Sequence, residues 1–370
     1  MHWSTNQSLE MLWGLEGLEP ASSATVTIER PTGFRVIEPP PRLERGSWLW
    51  YLIVRGPIDS SRAARSLASR LGASRWGLLG LKDACALVWQ YVAVKARSGP
   101  DVLGFPWGSA FLVAQGGAPR LGMHGYNIFA INIRVLDGDP KTIAGILESY
   151  SVIPGFFGPQ RFGVERPNTH YVGLLVSEGR LGELLAEYAY RYPGESRAEL
   201  GSYESRAIAR STRESSIAGA RAPRIAREAL QAYIFNRALS SLWPEYRRYA
   251  EAGVDLVCAG RRIRAPAVRL PYEGMKASRS PWAGVVARVL REEGLGWDSL
   301  KGLRGALRPL AYPVCGLRAR VKEDSIRVRF MLPRGAYATL LARSVALVDW
   351  VSYDRCGSLP SHGFGYGGGY

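Results

Sequence analysis

The first residue in this sequence whose surroundings suggest chemistry is an aspartate set inside an apolar stretch. Gly77-Leu-Leu-Gly-Leu-Lys-Asp83-Ala-Cys-Ala-Leu-Val-Trp-Gln90 runs on into Tyr91-Val-Ala-Val94. The run breaks at Lys82-Asp83 and resumes as a β-rich segment. A charged pair inside such a run is costly to bury, so it is expected at the mouth of a cleft. Taken alone, Asp83 reads as the cap of a turn. What singles Asp83 out is the company it keeps further along the chain.

No cluster of metal-ligand type competes with it. The four cysteines (Cys85, Cys258, Cys315, Cys356) are scattered and form no Cys-x-x-Cys pair. Neither a zinc site nor a disulfide framework is indicated by their spacing. The four histidines (His2, His124, His170, His362) are equally dispersed. No cofactor and no metal are expected.

Charge points to the partner. The 370 residues carry 48 Lys and Arg against 32 Asp and Glu, a net +16, with a pI near 9.9. Such an excess favours a polyanionic partner, nucleic acid before membrane. Lys stands at only six positions, so 42 of the basic residues are Arg. Arg suits phosphates and stacks on bases, although a codon bias gives the same count. Residues 1–20 lack a basic start with an apolar core, and no apolar run approaches ~18 residues, so neither a signal peptide nor a membrane span is expected. The expected setting is cytoplasmic and the expected chain monomeric.

The elements that must position Asp83 can be read along the chain. Residues 1–21 form an N-terminal extension or extra helix. Ala24–Glu29, Phe34–Glu38 and Ser47–Arg55 alternate as strands, and Asp59 caps a helix that ends at Gly72. Asn127–Val135 alternates with Phe129, Ile131, Ile133 and Val135 on one face. Asp139-Pro140 opens a helix running to about Tyr150. The aromatic turn segment Pro154–Gly163 reads as a boundary, beyond which the character becomes helical and Arg-rich: Glu178–Tyr192, Glu195–Arg213, Arg224–Trp243 and Trp282–Glu293. That charge is either a solvated helical face or a surface for RNA.

Strands return near the C-terminus. Pro313–Lys322 and Ser325–Met331 read as a hairpin turning at Glu323-Asp324. Period-two geometry places Arg318, Arg320 and Lys322 on one face, and Arg327 and Arg329 share a face as well. Like charges across a hairpin repel, so an anion is expected over them, and Arg318, Arg320 and Lys322 are the candidate RNA-binding surface. A helix follows Leu332–Arg343, and the tail Gly363–Tyr370 is of low complexity and expected to be flexible.

Five separated motifs in this order resemble the TruD family of tRNA pseudouridine synthases. They are Phe34-x-Val36-x-Glu38, Gly80-x-Lys82-Asp83-x-x-Ala86-x-x-x-Gln90, Asn127-x-Phe129, Phe157–Gly163 with Asn168, and Leu332-Pro-x-Gly335-x-Tyr337-Ala-Thr339 with Arg343. Tyr233-Ile-Phe-Asn236 also looks familial. The resemblance spans about residues 31 to 345. It departs at Ile28, where a Lys about six residues before Phe34 is usual, and at Thr32, Gly33, Ala84, Cys85, Val88 and Tyr126.

The resemblance implies an α+β fold: a pseudouridine-synthase-like catalytic domain with a mixed or antiparallel sheet, residues 22–156 plus 309–350. An α-rich insertion domain, 157–308, splits it, and 351–370 form the tail. It implies an intramolecular transferase that turns a uridine of tRNA, position 13, into pseudouridine by base flipping, with Asp83 as the catalytic residue. Phe34, Glu38, Lys82, Gln90, Asn127, Phe129, Arg161 and Arg343 are the implied substrate-binding residues. Arg343 is the candidate cationic partner of Asp83, or else a phosphate contact. Phe129 either stacks on the flipped uracil or belongs to the core, and Glu38 either lines the pocket or is a strand-edge carboxylate. The alternative readings are an RNA-binding or tRNA-folding protein without turnover, and the same chemistry at another tRNA position or on another RNA. A methyltransferase is disfavoured by the lack of a Gly-rich βα turn.

Overall fold

A computed structural model describes residues 6–163, 167–180 and 221–350. The regions 181–220 and 351–370 lie outside the described residues, and with them the expected helix at 195–213 and the expected flexible tail.

The chain divides into two compact units. One comprises Pro20–Ile153, Asp255–Ile263 and Tyr312–Tyr370; the other comprises Met1–Glu19, Pro154–Val254 and Arg264–Ala311. Helix α1 (Asn6–Leu12) belongs to the second unit.

The first unit is built on an 11-stranded sheet. Its N-terminal strands are β1 (Thr25–Ile28), β2 (Phe34–Ile37) and β3 (Trp48–Arg55). Helix α2 (Ser60–Arg70) leads to β4 (Trp76–Leu78), β5 (Leu87–Val94), β6 (Val102–Phe105), β7 (Gly108–Gly116) and the long β8 (Tyr126–Asp137). After α3 (Pro140–Ser149) and the short β9 (Val152–Pro154), the chain leaves for the other unit.

That other unit holds α4 (Thr169–Ser177), the 20-residue α5 (Arg221–Ser240) and α6 (Pro281–Glu292). Ala226, Ala229, Leu230, Ala232, Ile234, Phe235, Ala238 and Leu239 of α5 are all buried, so the helix is apolar on nearly every side, as a central core helix must be. Asn236 in its middle is satisfied: Nδ2 donates to the carbonyls of Trp13 (2.7 Å) and Phe157 (2.9 Å), and Oδ1 accepts from the Phe157 N–H at 2.8 Å. The stretch 157–308 is not purely helical: it contains the strands β10 (Ala252–Cys258), β11 (Arg261–Arg269) and β12 (Leu307–Pro309), and Asp255–Ile263 of the first two belongs to the first unit. The β10–β11 turn places Ala259 and Gly260 at φ +51° and +78°, the left-handed pair that a two-residue hairpin loop demands.

The chain returns through β13 (Ala311–Pro313) to β14 (Cys315–Lys322), β15 (Ser325–Pro333), α7 (Thr339–Val345) and β16 (Leu347–Val348). The main sheet runs β14-β15-β8-β2-β5-β3-β7-β6, with β1, β16 and β4 pairing at its sides. Most pairings are antiparallel; β2 with β5 and β1 with β16 are parallel. The hairpin turning at Glu323-Asp324 is present, and β15 lies against β8 over nine residue pairs. Helix α2 covers one side of the sheet. Its Ala63, Ala64, Leu67 and Ala68 pack on Leu49, Tyr51 and Ile53 of β3 and Val92 and Val94 of β5. Asp59 caps it, accepting the Arg62 N–H at 2.9 Å.

One expectation is overturned by the cysteines. Cys258 and Cys315 form a disulfide across 57 residues of sequence. Their spacing carries no motif, because the bond depends on the β10–β11 hairpin tip meeting the start of β14 in the folded chain. Among the described residues, no helix is long and apolar enough to cross a membrane.

Candidate active site

The sheet's strands end in a loop, Leu79–Ala86, which connects β4 to β5 and carries Lys82 and Asp83. Three polar side chains hold it. Arg55, the last residue of β3, is fully buried, and its guanidinium donates to the carbonyls of Lys82 (3.4 Å) and Asp83 (3.2 Å) and to Ser60 Oγ (3.2 Å). It also donates to the carbonyl of Ile58. Burial pulls the Arg55 pKa down to about 10, with the charges of Asp83, Asp59 and Glu38 opposing the shift; the group stays cationic at neutral pH. Ser60, at the start of α2, accepts the Lys82 N–H at 2.9 Å. Gln90, on β5, donates from Nε2 to the Gly80 carbonyl at 2.6 Å.

Beneath the loop lies a buried pair. Lys82 Nζ binds Glu38 Oε1 with both side chains at or below 5% exposure. Glu38 Oε2 accepts the Tyr91 N–H at 2.9 Å. Burial pushes the Glu38 carboxyl up and the Lys82 ammonium down, while each charge supports the other. Such a pair costs desolvation, and removing one partner strands the other. His124 completes the cluster, with Nδ1 3.8 Å from Glu38 Oε1. Burial, then the neighbouring Lys82 and Arg334, lower its pKa to about 3, so the ring is neutral. Gly80 is held close to this cluster: a Cβ there would stand 3.1 Å from His124 Cε1 and 3.4 Å from Lys82 Nζ.

Asp83 points away from the Lys82 pair and toward Arg30, in the turn between β1 and β2. Arg30 Nη2 binds Asp83 Oδ1, with the two side chains 3% and 15% exposed. The same oxygen accepts the Cys85 N–H at 2.9 Å, and Arg30 Nε donates to the Cys85 carbonyl at 2.9 Å. Oδ2 of Asp83 has no hydrogen-bond partner. The Arg30 guanidinium lies 5.7 Å from the centre of the Phe34 ring. Phe34 meets Phe129 edge-on at 6.3 Å, and Phe129 stacks on Phe330 at 5.5 Å. The register places the last two side by side, Phe330 of β15 opposite Phe129 of β8. A carboxylate, its cation and three aromatic rings thus form one contiguous series.

The residues singled out in the sequence do not all come together. Asp83, Phe34 and Phe129 belong to this series. Glu38, Lys82 and Gln90 lie beside it but bond to one another's surroundings rather than to open space. Asn127 shares the face of Phe129, and its Oδ1 is buried without a partner. Arg343 is the expected partner of Asp83; the ion pair that the structure shows is with Arg30, and Arg343 is buried on α7. Arg161 belongs to the other unit, where it pairs with Glu228 at 3.1 Å and lies 6.0 Å from the Phe157 ring centre.

The hairpin arginines lie apart from this series. Arg329 follows the pairing Arg318–Arg329–Ala130–Arg35, whereas Phe330 pairs with Phe129. Neighbouring residues of a strand point to opposite faces. Arg318, Arg320, Arg327 and Arg329 therefore line the sheet face opposite the aromatic rings.

Arg30, Arg55 and His124 were missed in the sequence. Nothing in the spacing around Arg30 marked it as a partner of Asp83. Among the described residues, no three His, Cys, Asp or Glu side chains converge as metal ligands.

Comparison with known proteins adds a family match. Residues 27–227 match the family model described as tRNA pseudouridine synthase D (TruD). A Pyrobaculum aerophilum protein named as a probable tRNA pseudouridine synthase D is 28% identical, over 81% of this chain and 84% of its own. A tRNA pseudouridine synthase D from Pseudomonas syringae is 27% identical, over 85% and 87%. The crystal structure of a Methanosarcina mazei protein carrying the TruD name superposes with a TM-score of 0.58 at 19% identity, covering 88% of this chain and 94% of that one. At that identity the likeness concerns the fold: a mixed α+β architecture with a helical insertion.

Proposed function

This chain belongs to the tRNA pseudouridine synthase D (TruD) family, and on that premise we propose that it isomerises the uridine at position 13 of tRNA to pseudouridine, with Asp83 as the catalytic carboxylate. The observation that carries the reading is the division of labour within one side chain. Asp83 Oδ1 is held by Arg30 and the Cys85 N–H, while Oδ2 is left without a partner.

The reaction breaks the bond from uracil N1 to the ribose C1′, turns the base, and joins C5 to C1′. The proton on C5 is lost and N1 gains one, so atoms and charge balance without a redox partner. Asp83 Oδ2 would either attack C1′ or take the proton from C2′; both routes call on the same free oxygen. Arg30 would hold the carboxylate aimed.

Base chemistry of this kind requires the nucleotide to leave its stack, at a cost of a few kcal/mol. The rings of Phe34 and Phe129, backed by Phe330, offer an apolar surface for the extruded uracil. The buried Oδ1 of Asn127 offers an acceptor for an imide N–H. Glu38, Lys82, Gln90 and Arg55 would serve as positioning residues that fix the loop. Arg161 is proposed to contact the RNA backbone; Arg343, buried on α7, is not exposed to it.

The test is to incubate the protein with tRNA transcripts and map pseudouridine by nucleotide. Conversion at position 13, absent in transcripts with cytidine there, supports the reading. Conversion only elsewhere overturns the position, and tight binding with no conversion favours an RNA binder without turnover.

A further inference from the structure

The open face of the sheet, on the other side from Asp83, carries a ladder of arginines that the chemistry does not use. Arg318 of β14 stands directly opposite Arg329 of β15, and Arg320 opposite Arg327. All four are exposed. On the same face Arg329 continues through Ala130 to Arg35 of β2, also exposed, and Lys322 and Arg134 flank Ser325. Of these cations only Arg134 is ion-paired among the described residues, to Glu29 at 3.1 Å and more loosely to Asp324 at 3.9 Å.

Two like-charged pairs placed directly across a hairpin oppose strand pairing. Among the described residues no carboxylate pairs with these four arginines, so the arrangement costs stability, which an anion arriving from outside would offset. Same-face residues repeat every ~6.8 Å along a strand, and strands lie ~4.8 Å apart. The four guanidiniums therefore cover a patch long enough for two or three successive phosphates, which rise by ~3.4 Å each along a nucleic acid strand. Arginine is also the cation that grips a phosphate with two parallel donors. Beyond the arginines the face continues as a half-buried row, Met331, Ile128, Ile37 and Trp89, in which the indole offers a surface for stacking.

We propose that this face is a second RNA-binding surface, which engages phosphates of the substrate remote from the uridine at Asp83. It rests on the reading of the protein as a tRNA-modifying enzyme, but it assigns the hairpin a place outside the reaction centre. A short RNA cannot reach from one face of the sheet to the other; a full-length tRNA that passes the β14 edge can.

The experiment compares wild type with the variant R318Q/R320Q/R327Q/R329Q on two RNAs. One is full-length tRNA; the other is a short stem-loop carrying the target uridine. For the variant we expect affinity for full-length tRNA to fall at least tenfold at 0.15 M salt. The slope of log K against log salt should flatten by about 2 to 3 units, from a loss of ~0.7 to 0.9 per phosphate contact. Conversion of the stem-loop should be unchanged, as should kcat on saturating tRNA, and the melting temperature should hold or rise. Unaltered tRNA affinity and slope would overturn the proposal. So would an equal loss on the stem-loop, which would return the arginines to the reaction centre. If wild type converts neither RNA, the enzymatic reading fails, and the affinity and slope on full-length tRNA still decide whether this face binds it.

Discussion

Arg30 engages Oδ1 of Asp83 and leaves Oδ2 without a partner, so the two oxygens of one carboxylate have different environments. Both side chains are largely buried, and the guanidinium is fixed from its other edge by the Cys85 carbonyl. The pair behaves as a rigid aiming device rather than a surface contact.

Replacing Arg30 with Met should lower the single-turnover rate of pseudouridine formation about 100-fold, the scale of losing one preorganised charge contact at a reacting group. Arg30→Lys should retain more, since charge persists while the second donor to Cys85 is lost. Equal rates for wild type and Arg30→Met would remove Arg30 from the account.

Arg55 acts at one remove. It binds the backbone carbonyls of Lys82 and Asp83, so Arg55→Met strands several buried acceptors. A loss on the order of 3 kcal/mol is expected, seen as a fall in melting temperature of about 6 to 12 °C. The rate should fall with KM nearly unchanged, because the loop loses its aim before the RNA surface loses its charge. A variant that melts early but turns over normally would restrict Arg55 to folding.

The Cys258–Cys315 bond closes a loop of 57 residues, and chain entropy alone makes that worth about 4 kcal/mol. Thermal melts of wild type with and without reductant, beside Cys258→Ser, should show a clear drop in both reduced and mutant protein. Melting temperatures that agree within error would mean that the cross-link contributes nothing to the folded state.

Acid should weaken the fold through His124. Its folded pKa of about 3 lies below the unfolded value of ~6.5. The unfolded chain therefore binds the extra proton first. The stability it contributes is complete above pH 6.5 and is lost as pH falls from there toward 3. Melts between pH 8 and 4 should decline, and His124→Gln should flatten part of that decline. Burial lowers His170 as well, to about 4, and accounts for a further share. A His124→Gln profile parallel to wild type would contradict this.

Much of the scaffold was legible because its signals are local. Alternation in Asn127–Val135 gave the long strand, Asp59 and Pro140 marked helix starts, and Glu323-Asp324 marked the hairpin turn. The break in an apolar run drew attention to Asp83, but its expected role came from the ordered motifs around it. What stayed hidden depends on side-chain reach or on register. The Arg30–Asp83 pair joins residues 53 apart, and no spacing rule connects them. Glu38 and Lys82 were each visible, but not that they bind each other. Periodicity showed that Arg318 and Arg320 share a face. Which face depends on pairing with β15 and β8, where a slip of one residue reverses the answer. The hairpin β10–β11 was masked by the helical, Arg-rich sequence around it.

The central claim is tested most directly by single-turnover pseudouridine formation on tRNA with Asp83→Ala beside wild type, at protein concentrations that saturate binding for both. The account predicts full binding by the variant with no detectable pseudouridine. Conversion by Asp83→Ala at a rate within tenfold of wild type would contradict it.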